Sequence, residues 1–321
     1  MSTDVHISIV DHENRDLVAN CLRSLPAACD GITWQATVID NVSDDGSLEM
    51  LAADFPATTV IANTRRLGFG ANHNQVLNAL INDRSARYAL ILNDDTVLEP
   101  EAVTRLVRAL DTDPTRAAVV PRIVDPEGRE PASRLAYPSI RRALVSDWRD
   151  QYDFAEDHPD TGYLQGCCLL LRLSAIEAVG GFDERFFLFY EDSDLSRRLA
   201  DAGWGLAVCP DAAVLHIGHA SVFKPALVEL TYLQGRRSRY LYLAKHEGRL
   251  RAELVTTAGR AVLLARGAKA WLGWKSRAAS DEARRTRAQR LLGLARFNPR
   301  HPLAQEKAAT GEPASPLATG R

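Results

Sequence analysis

Carboxylates dominate the residues of this chain that can do chemistry. The run "ALILNDDTVLEP", residues 89–100, ends an apolar, strand-like stretch in Asn93, Asp94 and Asp95. Two adjacent like charges repel, and Asn and Asp favour turns, so the triplet taken alone reads as a turn and cap before a helix near Pro100. A second acidic group, Glu191, Asp192, Ser193 and Asp194, opens a helix-like stretch, where such charges complement the helix dipole by about 0.3–1 kcal/mol. His216 closes a third apolar run, "AAVLHIGH". A lone His at a strand end is commonly structural, although imidazole also suits manganese better than magnesium.

Such groups need elements to carry them. "HISIV", "ATVID", "TTVIA" and "YALILN" are short runs rich in Val and Ile, and segments with apolar residues three and four apart follow the first three, around 17–25, 48–55 and 71–81. That alternation predicts a mostly parallel sheet covered by helices. Ligands of open sheets lie beyond the carboxyl ends of the strands, and polar clusters stand at three of those ends: "DHEN", "DNVSDDGS" and "NDD". We read the three as one site. Regularity fades over 126–162, a long excursion of loops and short helices, and from about Pro225 the pattern turns helical and basic.

With 321 residues, 46% of them hydrophobic, the chain can bury a full core. The net charge of −2 divides unevenly. Residues 235–321 hold 19 Lys and Arg against 6 Asp and Glu, a net of +13, and the remainder holds 20 against 35, a net of −15. An acidic body suits a divalent cation and hydroxyl-rich substrates, and a basic tail suits anionic lipid. No motif points to nucleic acid. Five cysteines, odd in number and without CxxC spacing, argue against a disulfide framework or a zinc knuckle. With no basic segment leading into a long apolar one at the start, a cytoplasmic location is expected.

In the tail, Leu254, Ala258, Ala261, Ala265, Ala268 and Leu272 share one helical stripe, interrupted by Arg260, Arg266 and Lys269. Those charges rule out a cheap bilayer crossing. Trp271 and Trp274 with Lys269, Lys275 and Arg277 fit a helix lying on a membrane, whereas an Ala-rich stripe also fits packing against its own protein. Both readings stand.

The segment "GCCLLLRLSAIEAVGGFDERFFLFYEDSDLSRRLADAGW" resembles the acceptor-side block of family 2 glycosyltransferases of the GT-A fold, most closely the bacterial rhamnosyltransferase-like branch. "VIDNVSDDGS", "RRLGFGANHN", "LILNDD" and "SRLAYPS" match that family's other stations in the right order. The resemblance covers residues 5 to about 222. It implies an α/β GT-A domain over 1–224 with a mostly parallel central sheet; beyond it, the helical and basic pattern reads as a region over 225–300 that associates with membrane or packs on the catalytic domain, and the Pro/Gly/Ala-rich composition of 301–321 reads as a disordered end.

Roles follow from the resemblance residue by residue. Asp95 and His216 are the implied ligands of a divalent metal, Mn2+ or Mg2+, with His219 the alternative to His216, and a bound cation would offset the repulsion between Asp94 and Asp95. Asp40 would accept the imide N–H of uracil or thymine. Asn41 and Ser43 would lie by the ribose, Asp94 by the ribose or diphosphate, and Asp11, Gly68, Gly70 and Asn74 elsewhere along the nucleotide. Asp192 is the implied catalytic base, with Glu191 beside it, and Trp204, Asp194 and Tyr190 would line the acceptor side. Arg134 would close over the donor. A carboxylate of ordinary pKa, about 3.9, is a weak base for a sugar hydroxyl, so proton transfer should accompany bond breaking.

The implied activity is inverting, metal-dependent transfer of a sugar, plausibly L-rhamnose from dTDP-rhamnose, to a hydroxyl of a cell-envelope glycan or lipid-linked acceptor at the cytoplasmic face of the plasma membrane. A UDP-sugar or galactofuranose donor is the first alternative. A metal-dependent nucleotidyltransferase and a catalytically silent sugar-nucleotide or glycan-binding protein are the others.

Overall fold

The first third of the chain alternates strand and helix: β1 (Thr3–Asp11), α1 (Arg15–Ala28), β2 (Trp34–Asp40), α2 (Ser47–Asp54), β3 (Thr59–Ala62), α3 (Phe69–Asp83) and β4 (Ala86–Asn93). Here β4 is buried along nearly its whole length, which is why "YALIL" runs apolar without alternation. Helix α1 instead buries Val18, Cys21, Leu22 and Leu25, the spacing of one helical face. β5 (Thr96–Leu98), α4 (Ala102–Thr112) and β6 (Arg116–Val124) come next, then β7 (Arg134–Leu135) and α5 (Ile140–Val145). β8 (Tyr163–Leu164), β9 (Cys168–Arg172), α6 (Leu173–Val179), α7 (Glu191–Asp201) and β10 (Gly205–His216) follow.

Eight strands form one sheet in the order β3-β2-β1-β4-β9-β6-β10-β5, and β7 pairs with β8 in a small ribbon. The first four are mutually parallel, as expected. β9 runs antiparallel between β4 and β6, and β5 is antiparallel to β10. The sheet is therefore mixed and mostly parallel, with an apolar layer on each face. One centres on Ile7, Leu22, Leu90 and Leu106, the other on Leu77, Ile91, Leu171 and Leu195.

The computed structural model describes residues 2–145, 162–218, 228–272, 281–304 and 306. They divide into two compact units, one built from Met1–Tyr137 and Phe154–Val228 with Ala304–Arg321, the other from Pro138–Asp153 and Glu229–Leu303. The second contains α5, α8 (Val228–His246 apart from its first residue), α9 (Arg249–Leu272) and α10 (Asp281–Arg296). Leu263, Leu294 and Ala295 form its small core, and Arg236 donates to the Leu294 carbonyl at 2.7 Å. The expectations for His219, Trp274, Lys275 and Arg277, for much of the 126–162 excursion and for the chain end beyond 306 fall outside the described residues.

Candidate active site

β1 and β4 lie side by side, yet the chain reaches β4 only after running outward through β2 and β3, so strand order reverses between them. Open α/β sheets bind ligands at such a switch. Asp11 ends β1 and Asp40 ends β2, paired in the ladder, and Asn93 ends β4. Both carboxylates are buried. Burial, followed by repulsion from Asp45 and Asp40, raises the pKa of Asp11. Asp40 accepts the Ser43 N–H on both oxygens, at 3.2 and 3.4 Å, and the Ser43 hydroxyl donates to Asp11 at 3.5 Å. Val42 holds this turn at φ 65 and Glu13 sits at φ 54. A β-branched residue in the left-handed region is strained, and such strain gathers at functional sites.

Asp94 is also buried, its Oδ2 accepting the Asn14 amide at 3.0 Å. Burial pushes its carboxyl well above the ordinary range, with Asp95 and Asp11 adding repulsion. After Asp95 the chain folds into β5, which pairs Thr96 with His216, and the Ile217 N–H donates to the Asp95 carbonyl at 3.0 Å. This pairing sets His216 Nε2 3.2 Å from Asp95 Oδ1 and 3.4 Å from Asn93 Nδ2.

Asp11 Oδ1 is buried with no hydrogen bond, and Asp95 Oδ1, although 3.2 Å from His216 Nε2, makes no well-aligned one, a condition that a cation relieves. One carboxylate oxygen and one imidazole nitrogen suit Mn2+ better than Mg2+, and diphosphate oxygens would extend the shell. Among the described residues no group of three or more His, Cys, Asp or Glu is arranged to hold a metal by itself. The residues present fit a cation shared with an anionic ligand.

The second acidic group arrives through β9. Because β9 is antiparallel to β4, its start lies at the same edge, and Cys167 accepts the Asn93 N–H on its carbonyl at 2.9 Å. The preceding residue, Gly166, donates its N–H to Asp192 Oδ2 at 3.3 Å, while the Ser193 N–H donates to Oδ1 at 2.6 Å. Burial, then Asp95 and Asp192, push the Cys167 thiol up to about 12, so this one side chain senses both acidic groups. Phe189 and Tyr190, at φ 70 and 69, turn the chain into α7 and present Glu191 and Asp192 at its start.

Burial raises Asp192 to about 6. Glu191 is raised well above its ordinary value by burial and then by Asp192, and its Oε2 makes no hydrogen bond. A carboxyl at about 6 is largely ionised near neutral pH and accepts a proton more readily than an ordinary carboxylate. The ordinary basicity expected of Asp192 is thereby corrected upward, to about 6.

Several expected contacts have other occupations. Gly68 and Gly70 do admit close backbone approach, but the approaching chain is the protein's own: a Cβ on Gly68 would lie 2.7 Å from Phe187 Cα, and one on Gly70 2.6 Å from Phe182 Cβ. Asn74 spends its amide on the same segment, donating to the Phe182 carbonyl at 2.9 Å and Glu184 at 3.0 Å and accepting the Phe182 N–H at 3.0 Å. Asn41 latches Leu67 from both sides, at 2.8 Å through the N–H and 3.1 Å through the carbonyl. At all three stations the contacts seen are with the protein's own chain, which they hold in place at this edge of the sheet.

On the acceptor side, Asp194 is fully buried and accepts Arg198 Nε at 2.8 Å, and Tyr190 is 2% exposed. Neither presents a surface to an acceptor. Trp204 precedes Gly205 at the start of β10, and β10 is parallel to β6, so the ring lies at the strand edge opposite Asp95, packed on the core. Arg134 is buried too, its guanidinium on the Leu206 carbonyl.

Sequence reasoning missed Asn14 and Gly166. Asn14 was legible as a capping residue ahead of α1, but nothing local names Asp94, 80 positions away, as its partner. Gly166 acts through its backbone N–H, which no residue type advertises.

Residues 7–180 match the family model described as glycosyl transferase family 2. The chain is 32% identical over 238 residues to the N-acetylglucosaminyl-diphospho-decaprenol L-rhamnosyltransferase of Mycobacterium tuberculosis (strain H37Rv), spanning 67% of this chain and 76% of that protein. It is 29% identical over 235 residues to the galactofuranosyltransferase GlfT1 of the same organism, spanning 71% and 74%. In fold it resembles the mannosyltransferase PcManGT from Pyrobaculum calidifontis, solved in complex with GDP-Man and Mn2+, with a TM-score of 0.52 at 17% identity over 92% of this chain and 86% of that one.

Proposed function

The chain belongs to glycosyl transferase family 2 and moves a sugar from a nucleotide-sugar donor; from that premise we propose that it is an inverting rhamnosyltransferase using dTDP-L-rhamnose and a lipid-linked glycan acceptor. The observation that carries the reading is the joining of two carboxylate groups at one strand edge through Gly166 and Cys167: Asp95 at the end of β4, and Asp192 at the start of α7 with its carboxyl raised to about 6. Asp192 takes the proton of the acceptor hydroxyl as that oxygen bonds to the anomeric carbon, and the bond to the nucleoside diphosphate breaks with its electron pair leaving on the diphosphate. A base so placed contributes about 10² to 10⁴-fold.

Asp95 and His216 would hold the divalent cation, which when bound supplies positive charge against the developing charge on the diphosphate. Asp40, whose oxygens share the Ser43 N–H, would accept the base imide through a remaining lone pair. Rhamnose and a lipid-linked acceptor are supported by the 32% identity to the mycobacterial rhamnosyltransferase, and the 29% identity to GlfT1 makes a galactofuranose donor the second reading.

Thermal stabilisation by dTDP, UDP and GDP, each with Mn2+ and with chelator, tests the site. A ligand at about 100 times its dissociation constant adds roughly 2.7 kcal/mol. We expect dTDP to stabilise only with Mn2+, and Asp95→Asn to abolish that metal-dependent part. A shift with GDP alone overturns the donor assignment, and an Asp95→Asn protein that responds like the parent overturns the metal assignment.

A further inference from the structure

Helix α9 has two apolar faces. One buries Ala252, Val255, Leu263 and Gly267 within its own unit. The other presents Leu250, Leu254 and Leu264 to solvent at 83%, 68% and 49% exposure, with Ala261, Ala265 and Ala268 exposed between them and Trp271 at 56%. At 1.5 Å per residue that row runs about 30 Å. Single exposed leucines need no explanation, whereas a continuous row marks an interaction surface. The Ala stripe of α9 faces outward rather than packing on its own unit at these positions.

We propose that this face of α9 docks on an anionic lipid bilayer. Arg249 on one side of this row and Arg251 and Lys269 on the other are exposed, so the apolar row carries cationic flanks, the pattern of a helix lying in the membrane interface. Arg249, Arg251, Arg260, Arg266 and Lys269 stand against Glu253 as the only acidic residue of α9, and Glu253 is engaged by Tyr240 at 3.0 Å and by Arg300. The net of +13 over 235–321 is complementary to anionic headgroups and opposes pairing with a second copy of the same face. No helix among the described residues is long and apolar enough to cross a membrane. The helix therefore lies on the surface, leucines toward the acyl boundary and basic side chains at the headgroups. The docking is independent of the sugar transferred, because it involves no residue of the candidate active site.

Sedimentation of the full chain with vesicles tests it: phosphatidylglycerol mixed with phosphatidylcholine, against phosphatidylcholine alone, at low and high salt. The parent should sediment with the anionic vesicles and be released by salt. Leu250→Ser with Leu254→Ser should weaken binding at least tenfold, and Arg251→Glu with Lys269→Glu by about tenfold or more, since each basic residue near an anionic surface contributes roughly fivefold. All four side chains are exposed, so unchanged melting and unchanged nucleotide binding should accompany both losses. A parent that stays in the supernatant, or variants that sediment like it, overturn the proposal. So does a parent that self-associates in light scattering and becomes monomeric in the leucine variant, because the face would then join two copies.

Discussion

Replacing Asp192 by Asn should cost activity and add stability, and the two effects should separate with pH. The raised carboxyl, about 6 against an ordinary 3.8, means that the folded state binds the proton more tightly than the unfolded state does. Between those values the folded protein carries more protons, so its stability falls as pH rises, and above about 6 the ionised group costs the fold up to about 3 kcal/mol. Asn removes that cost. It also loses an acceptor, because only one of the two N–H groups now on Asp192, Gly166 at 3.3 Å and Ser193 at 2.6 Å, keeps an oxygen. The lost bond takes back about 1 kcal/mol.

The expected net is a gain of about 2 kcal/mol at pH 7.5, seen as a melting point a few degrees higher, which vanishes or reverses near pH 4. Turnover of a dTDP-sugar should fall by about 10² to 10⁴-fold, while metal-dependent dTDP binding survives. In the parent, kcat/KM should decline below about pH 6 as Asp192 takes up its proton. A variant that keeps turnover within a few-fold of the parent refutes the base assignment. A stability difference equal at pH 4.5 and 7.5 refutes the raised carboxyl on which the assignment rests.

Two further substitutions probe the scaffold behind the site. Gly68→Ala and Gly70→Ala each drive a Cβ into the Phe182–Phe187 segment, at 2.7 Å and 2.6 Å, and should lower stability by about 1–3 kcal/mol, read as a lower melting temperature; an unchanged melt would show that the segment yields freely. Arg198→Leu removes the ion pair of the fully buried Asp194 with Arg198 and takes the same guanidinium from the Val179 and Gly181 carbonyls. It should cost about 3–5 kcal/mol, and a denaturant midpoint close to the parent's would overturn the structural role given to that pair.

Much of the catalytic unit is legible in the order of residues. The four Val/Ile/Leu runs form β1 to β4, and the three polar clusters behind them form the carboxyl edge of a parallel sheet. The two carboxylate groups are likewise plain in the sequence as residue types. Gly68, Gly70 and Asn74 are legible as constrained positions yet misleading as to partner, since their neighbour is the Phe182–Phe187 segment more than a hundred residues on.

Sequence alone determined periodicity, because burial of one face imposes a repeat of two on a strand and between three and four on a helix, and this repeat is written in consecutive residues. Tertiary structure decided pairing. Asp95 meets His216 only because β5 folds back against the end of β10, and Asp192 receives the Gly166 N–H only because β9 enters the sheet antiparallel beside β4. The same enclosure sets Asp192 near 6 and raises Glu191 well above its ordinary value. A pKa depends on how much water and which charges surround a group in three dimensions, and strand order, which no local pattern encodes, is what assembles those surroundings.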